Sequence, residues 1–165
     1  MRKPRTFLEF PGFILEKYKT PPMKERILSE AERLFWKYGI RSVTMEDIAR
    51  RLGISKKTIY QHFTDKEDIL YQVLQQRINE DNLDMNCMTS EVLNPIEELL
   101  LVLDLMRKKQ EQVSPNFMID IRRHYPEAFA LFRKHIDQYV MKSILENIQK
   151  GISQGWYRND ITPAI

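Results

Sequence analysis

The sequence predicts an all-α protein, and three observations carry that reading. Apolar residues recur at helical spacing in almost every segment from Met23 onward. No segment alternates apolar and polar side chains as a half-buried strand does. Gly is scarce except where helices end. Hydrophobic content of 42% and charged content of 30% fit a soluble globular chain with a packed core.

The elements follow in order. Residues 1–22 read as a poorly ordered N-terminal extension: Pro4, Pro11, Pro21 and Pro22 interrupt it, and Phe7, Phe10 and Phe13 keep no clear period. Met23, where the periodic pattern begins, reads as an alternative start. The first helix is expected from Pro22 to Tyr38, with Ile27, Ala31, Leu34, Phe35 and Tyr38 in one stripe and Gly39 at C′. The second begins at Thr44, where Thr44 and Asp47 form a capping box with Asp in place of Glu. Met45, Ile48, Ala49 and Leu52 face inward, and Gly53 stops it. The third is short and starts at the N-cap Ser55. It turns Ile59 and Phe63 to the core and leaves Lys56, Lys57, Thr58, Tyr60 and Gln61 outside.

A fourth helix is expected to start at a Thr64/Glu67 capping box and to fade near Asp81 to Asp84. Its stripe is Ile69, Leu70, Val73, Leu74 and Ile78. Residues 84–93 read as a connection. Asn94 caps the next helix, with Pro95 at N1 and Glu97 at N3, running to about Gln112. Ser114-Pro115 opens a short helix to about His124. Pro126 opens a last long one to about Lys150, ended by Gly151 or Gly155. The chain divides into the extension 1–22, a helix-turn-helix unit 23–81, and a helical unit 82–165.

Charge separates the two ends. Residues 1–66 hold 15 Lys/Arg against 8 Asp/Glu, while residues 67–165 hold 11 against 15. The basic part suits a polyanion and the acidic part does not. The longest near-apolar run, Ile96 to Met106, is interrupted by Glu97, Glu98 and Asp104, too short and charged to span a bilayer. The N-terminus has no clean apolar core of a signal peptide. The single Cys87 excludes an internal disulfide and any all-Cys metal site, which points to a reducing cytoplasm.

Residues 44–63 form a unit. Two short helices flank a tight turn at Gly53-Ile54, Ala49 is small enough to let them approach, and Gly53 permits a left-handed backbone. This is the helix-turn-helix pattern, whose second helix enters the major groove of DNA. Between Arg41 and Lys66 lie six Lys/Arg (Arg41, Arg50, Arg51, Lys56, Lys57, Lys66) against Glu46, Asp47 and Asp65. Charge alone favours a solvated basic face.

The stretch TMEDIARRLGISKKTIYQHFTDKEDIL, Thr44 to Leu70, resembles the signature of TetR/AcrR transcriptional regulators. The matching features are the turn Gly53-Ile54-Ser55, the run Thr58-Ile59-Tyr60-Gln61-His62-Phe63 and the pair Lys66-Glu67, preceded by Phe35, Tyr38 and Gly39. The resemblance covers about residues 23–81. It implies a ligand-responsive repressor of double-stranded DNA, not an enzyme, with no cofactor and no metal. It further implies that Thr44, Tyr60, His62 and Lys66 contact phosphates. Lys56, Lys57 and Thr58, with Gln61 beside them, would approach base edges, and Ser55, which caps their helix, belongs to the same DNA-binding set. Two alternatives stay open: Tyr60 partly buried with its hydroxyl free, and His62 packed beside Phe63.

Residues 84–165 carry no catalytic motif and no Gly-rich phosphate loop. His124 and His135 are separated by Pro126, so a shared metal face is not expected. In the family this region binds a small effector and forms a homodimer. Met85, Met88, Leu103, Met106, Phe117, Met118 and Ile121, together with Phe129 and Phe132, are candidates to line the effector site; taken one at a time, core packing is the better account of each. Family members usually continue past the position of Ile165 with two helices that pair across the dimer. The run Gly155 to Asp160 ordinarily precedes them, so the sequence reads either as truncated or as dimerising through another surface. In either case Tyr139, Ile144 and Ile148 are expected to be exposed.

Overall fold

The computed structural model describes residues 21–89 and 94–161, the side chains of 83–89 excepted. The elements are α1 (Met23–Tyr38), α2 (Met45–Leu52), α3 (Lys56–Tyr60), α4 (Lys66–Thr89), α5 (Pro95–Glu111), α6 (Pro115–His124), α7 (Pro126–His135), a π-helical turn (Ile136–Val140) and α8 (Met141–Ser153). Among the described residues every regular element is helical, as the periodicity requires. The expected extension 1–22 lies almost wholly outside them.

Local signals place most helix ends. Thr44 and Asp47 make a complete capping box: the Thr44 hydroxyl oxygen accepts from the Asp47 N–H at 3.1 Å, and Asp47 accepts from the Thr44 N–H at 3.0 Å. Ser55 accepts from the Thr58 N–H. Asn94 accepts from the N–H groups of Ile96 and Glu97. Gly53 takes φ +66°, the Ile54 N–H returns to the Ala49 carbonyl, and the Gly53 N–H to that of Arg50; this is the double bond of a Schellman turn. No atom lies within 4 Å of a Cβ built on Gly53, so its backbone angle and not crowding calls for glycine.

Three expectations are corrected. The fourth helix is capped one residue later: Asp65 accepts from the Asp68 N–H at 2.9 Å, and Asp68, not Glu67, takes the Thr64 N–H. The same helix does not fade at 81–84 but runs to Thr89, because residues 84–89 contain no Gly or Pro to stop it. The last long helix is interrupted by the π-helical turn, where the Met141 N–H bonds the Ile136 carbonyl five residues back. Its end is at Gly155, which takes φ +75°, while Gly151 is helical and buried.

The core begins where α1, α2, α3 and α4 meet. Ile27, Phe35, Ile40, Ile48, Ile59, Ile69 and Leu70 are fully buried there. The same apolar cluster continues into Phe117 and Ile121 of α6 and Ala128 of α7. The helix-turn-helix is therefore seated directly on α6 and α7 through shared side chains. α8 packs on α5, and a polar knot fastens them: Asn147 Nδ2 and the Tyr157 hydroxyl both donate to the Pro95 carbonyl at 2.9 Å.

Candidate nucleic-acid interface and internal cavity

The third helix has two unlike sides. Ile59, and Phe63 just past its end, are buried, so they hold it against α1, α2 and α4. Lys56, Lys57, Tyr60, Gln61 and His62 are exposed around the remainder, Tyr60 at 49%. Both alternatives left open by the sequence resolve toward the surface: Tyr60 is half exposed, and His62 is exposed although its ring tilts toward Phe63 at 6.5 Å. The Lys56 ammonium lies 5.8 Å from the centre of the Tyr60 ring. Thr58 is half-buried, and its hydroxyl lies 2.9 Å from that of Ser55. Thr44 is exposed at the start of α2, and its hydroxyl donates to Asp47 at 2.7 Å. Those bonds, with Arg50 and Arg51 nearby, hold the Asp47 carboxyl below its ordinary range. Asp47 is thereby engaged by its own cap and by the Arg50 ion pair.

Lys66 sits differently from its expected place on a phosphate. Its ammonium turns inward and donates to the Ile40 carbonyl at 3.0 Å and the Val43 carbonyl at 2.9 Å. Burial lowers its pKa from the ordinary value, with Asp120 opposing that shift. Lys66 thus ties α4 to the turn that delivers Thr44.

Behind this face lies a cavity of about 430 Å³ among α1, α4, α5, α6, α7 and the π-helical turn. Trp36, Leu74, Ile78, Met106, Phe117 and Phe132 build its apolar wall, with Trp36 and Phe117 rings 4.3 Å apart. Arg77, Asp81, Lys109 and His135 supply its polar side. Asp81 takes Lys109 at 2.5 Å and Arg77 at 3.3 Å.

Of the residues expected at an effector site, Met106, Phe117 and Met118 line this cavity, as does Phe132. Leu103 does not. Val102, Leu105, Met106 and Lys109 take the inward face of α5, and Leu103, about 100° of helix from Val102, is 49% exposed. Ile121 is fully buried, but in the core beneath α1 and α4. The side chains of Met85 and Met88 lie outside the described residues, as does that of Cys87. Tyr139 is exposed as expected, while Ile144 and Ile148 are half-buried. Sequence reading passed over the cavity's polar side; His135 was weighed only as a metal ligand. Among the described residues no cluster of His, Cys, Asp and Glu could hold a metal, and no helix is long and apolar enough to cross a membrane.

Residues 27–73, the helices just described, match the family of bacterial regulatory proteins of the tetR type. Over these residues the chain carries the N-terminal domain of the TetR family. The chain is 29% identical over 108 residues to the HTH-type regulator YvaF of Bacillus subtilis, covering 65% of the chain and 56% of YvaF. It is 39% identical over 56 residues to an HTH-type regulator of Staphylococcus aureus, covering 34% of the chain and 30% of that protein. It thus spans little more than half the length of the first relative and under a third of the second. Among solved structures, a transcriptional regulator of Saccharomonospora viridis in complex with choline is 25% identical with a TM-score of 0.74, over 83% of this chain and 73% of that one. The fold also matches FadR of Bacillus subtilis in complex with stearoyl-CoA at a TM-score of 0.65 and 20% identity, over 84% of this chain and 75% of that one.

Beyond the TetR-type domain, α6 bridges the cavity and the helix-turn-helix. Its Phe117 and Met118 face the cavity. Its Asp120 accepts the Arg41 N–H at 2.9 Å, and the Ser114 N–H before it donates to the Trp36 carbonyl at 2.8 Å. A Cβ built on Gly39, at φ +83°, would lie 3.1 Å from Asn116 Cβ and 3.2 Å from the Asp120 carboxylate. Glycine is needed there both for its angle and for the closeness of α6.

Proposed function

We propose that this chain is a transcriptional regulator that reads duplex DNA with α3 and whose DNA affinity is set by a small ligand in the α4–α7 cavity. The observation that carries the DNA half is the two-sidedness of α3: Ile59 and Phe63 anchor it, and five polar side chains stand free on a basic domain. In this reading Thr44, Tyr60 and His62 take phosphates and set the register. Lys56, Lys57 and Gln61 meet base edges in the major groove. Ser55 and Thr58, bonded to each other, hold the start of α3. Lys66 acts from behind by fixing the turn before Thr44.

The ligand half rests on the bridge through α6. A ligand against Phe117 and Met118 displaces the helix whose Asp120 and Asn116 grip Gly39 to Arg41, and so moves the start of α2. The Saccharomonospora viridis regulator holds choline, which supports a small ligand here. Helix-turn-helix proteins read palindromes as dimers, and a homodimer is the matching assembly.

Selection of bound duplexes from a random pool tests the DNA half, followed by titration of the winner against salt. A recurrent sequence with two half-sites and a log–log salt slope of several is expected. No enrichment, or binding indifferent to salt, overturns the reading.

A further inference from the structure

Building on the reading of the cavity as an effector site, we propose that its ligand is an uncharged, largely apolar molecule, and that Asp81 enforces this choice by engaging the cations of the wall. Apart from Arg77, Asp81, Lys109, Gln110 and His135, every described lining residue is apolar. The volume of about 430 Å³ lies within the roughly 300–1,000 Å³ of ordinary small-molecule sites.

The charges on that wall are committed to one another. Asp81 takes Lys109 at 2.5 Å and Arg77 at 3.3 Å. Arg77 also faces Glu32 of α1, outside the lining, at 3.8 Å. Glu32, Arg77, Asp81 and Lys109 thus form one ion chain that ties α1 to α4 and α4 to α5. His135 is uncharged at pH 7.5, because burial holds its pKa below 6.5, and its Nδ1 is packed away from open space. A charged ligand of either sign would lose its hydration against apolar side chains, or it would have to break the ion chain. An uncharged apolar ligand meets neither cost, and its own release from water favours entry.

The aromatic side chains do not reverse this for a cation. The rings of Trp36 and Phe117 are 4.3 Å apart and tilted by 57°, in direct contact, so no ammonium fits between them as it would in an aromatic cage. In this respect the site is expected to differ from that of the choline-bound regulator.

Asp81 is the acid of the described lining, and both neighbouring cations bond to it. Asp81→Asn keeps its shape and leaves the wall one charge more positive, whatever else those cations touch. That variant should convert a site for neutral molecules into one that accepts an anion.

The test compares decanol, decanoate and decyltrimethylammonium at pH 7.5, each below its micellar concentration, read by the fluorescence of Trp36 in a Trp156→Phe background. Trp36 is on the cavity wall, and Trp156 is exposed elsewhere. Decanol is expected to bind about tenfold or more tighter than either charged probe. A smaller margin, or a charged probe in the lead, overturns the uncharged assignment while leaving an effector site in place. Failure of all three probes in a protein that still binds DNA overturns the effector-site reading, and the assignment with it. Asp81→Asn should raise decanoate affinity relative to decanol by about tenfold. An unchanged ratio in the folded variant overturns the role of Asp81. If Asp81→Asn does not fold, Arg77→Met decides: it makes the wall one charge more negative, so the ratio of decyltrimethylammonium to decanol affinity should rise, and an unchanged ratio overturns the control of ligand charge by this ion chain.

Discussion

The Asp120 carboxylate accepts the backbone N–H of Arg41 at 2.9 Å, joining residues 79 apart in the chain. Arg41 lies in the turn that leads to Thr44, so Asp120 sets where α2 begins. Asp120→Ala removes the acceptor and should destabilise the fold by on the order of 1 kcal/mol. DNA binding should weaken equally at every salt concentration, because no phosphate contact is removed and the slope counts such contacts. Denaturant midpoints and a salt series on one duplex check both. A flattened slope would make Asp120's neighbourhood part of the interface itself.

Lys66 offers a sharper contest, because sequence and structure assign it different partners. With its ammonium on the Ile40 and Val43 carbonyls, Lys66→Met should cost about 1.5–3 kcal/mol of stability and leave the salt slope intact. As a phosphate contact it would lower the slope by about one at little cost in stability. Chemical denaturation beside the salt series separates the two.

Lys57 is exposed on α3 and makes the opposite kind of prediction. If it reads a base, Lys57→Ala weakens the preferred duplex by ~1–3 kcal/mol and relaxes choice at particular positions. Tyr60→Phe, which removes only a hydroxyl, should weaken all sequences alike. Binding of a substituted duplex panel tells them apart; equal losses for Lys57→Ala across the panel would move it to the phosphate class.

These assignments show which parts of the molecule a sequence exposes. Thr44, Ser55, Asn94 and Gly53 act on backbone within five residues, so their roles were legible from residue type and spacing. The two-sided α3 was legible for the same reason, since Ile59 and Phe63 keep one helical face. The Lys66 bonds, the Asp120–Arg41 bond and the Tyr157–Pro95 bond join residues 23 to 79 positions apart, and no local pattern encodes them. Cavity membership failed in the same way. Leu103 and Met106 are equally apolar, and only the rotation of α5 against its neighbours decides which one faces inward. The Thr64/Glu67 box was missed by one residue because Asp65 and Asp68 offer a competing cap of the same kind.

Gly151 and Gly53 should respond very differently to the same added methyl. At Gly53 there is free space and φ of +66°, so Gly53→Ala costs only the left-handed strain, about 1–2 kcal/mol. At Gly151 a Cβ would overlap the Tyr157 ring. Gly151→Ala must therefore expel Tyr157 and break its hydroxyl bonds to the Pro95 carbonyl and Asn147 Oδ1. Overpacking of this kind costs about 1–3 kcal/mol beyond those bonds. The two effects are linked, so Tyr157→Ala should absorb most of the penalty of Gly151→Ala, a non-additivity that a double-mutant cycle in urea measures.

His135 should make the fold sensitive to mild acid. Burial lowers its pKa below the ordinary 6.5; Lys109 of α5 pushes the same way, and Asp81 of α4, itself bonded to Arg77, opposes. Above pH 6.5 the imidazole is neutral in both folded and unfolded chains and contributes no pH dependence. As pH falls through 6.5 the unfolded chain takes up a proton that the folded chain refuses, so stability declines. The decline levels off once the pH is below the folded pKa, where both states are protonated. His135→Leu removes the proton difference, and its denaturation midpoint should lose this component of the fall between pH 7.5 and 5.5. It should also exceed the wild type at pH 7.5, since an unpaired buried nitrogen has been replaced by an apolar side chain. An unchanged pH profile in the variant would mean that other groups carry the acid sensitivity.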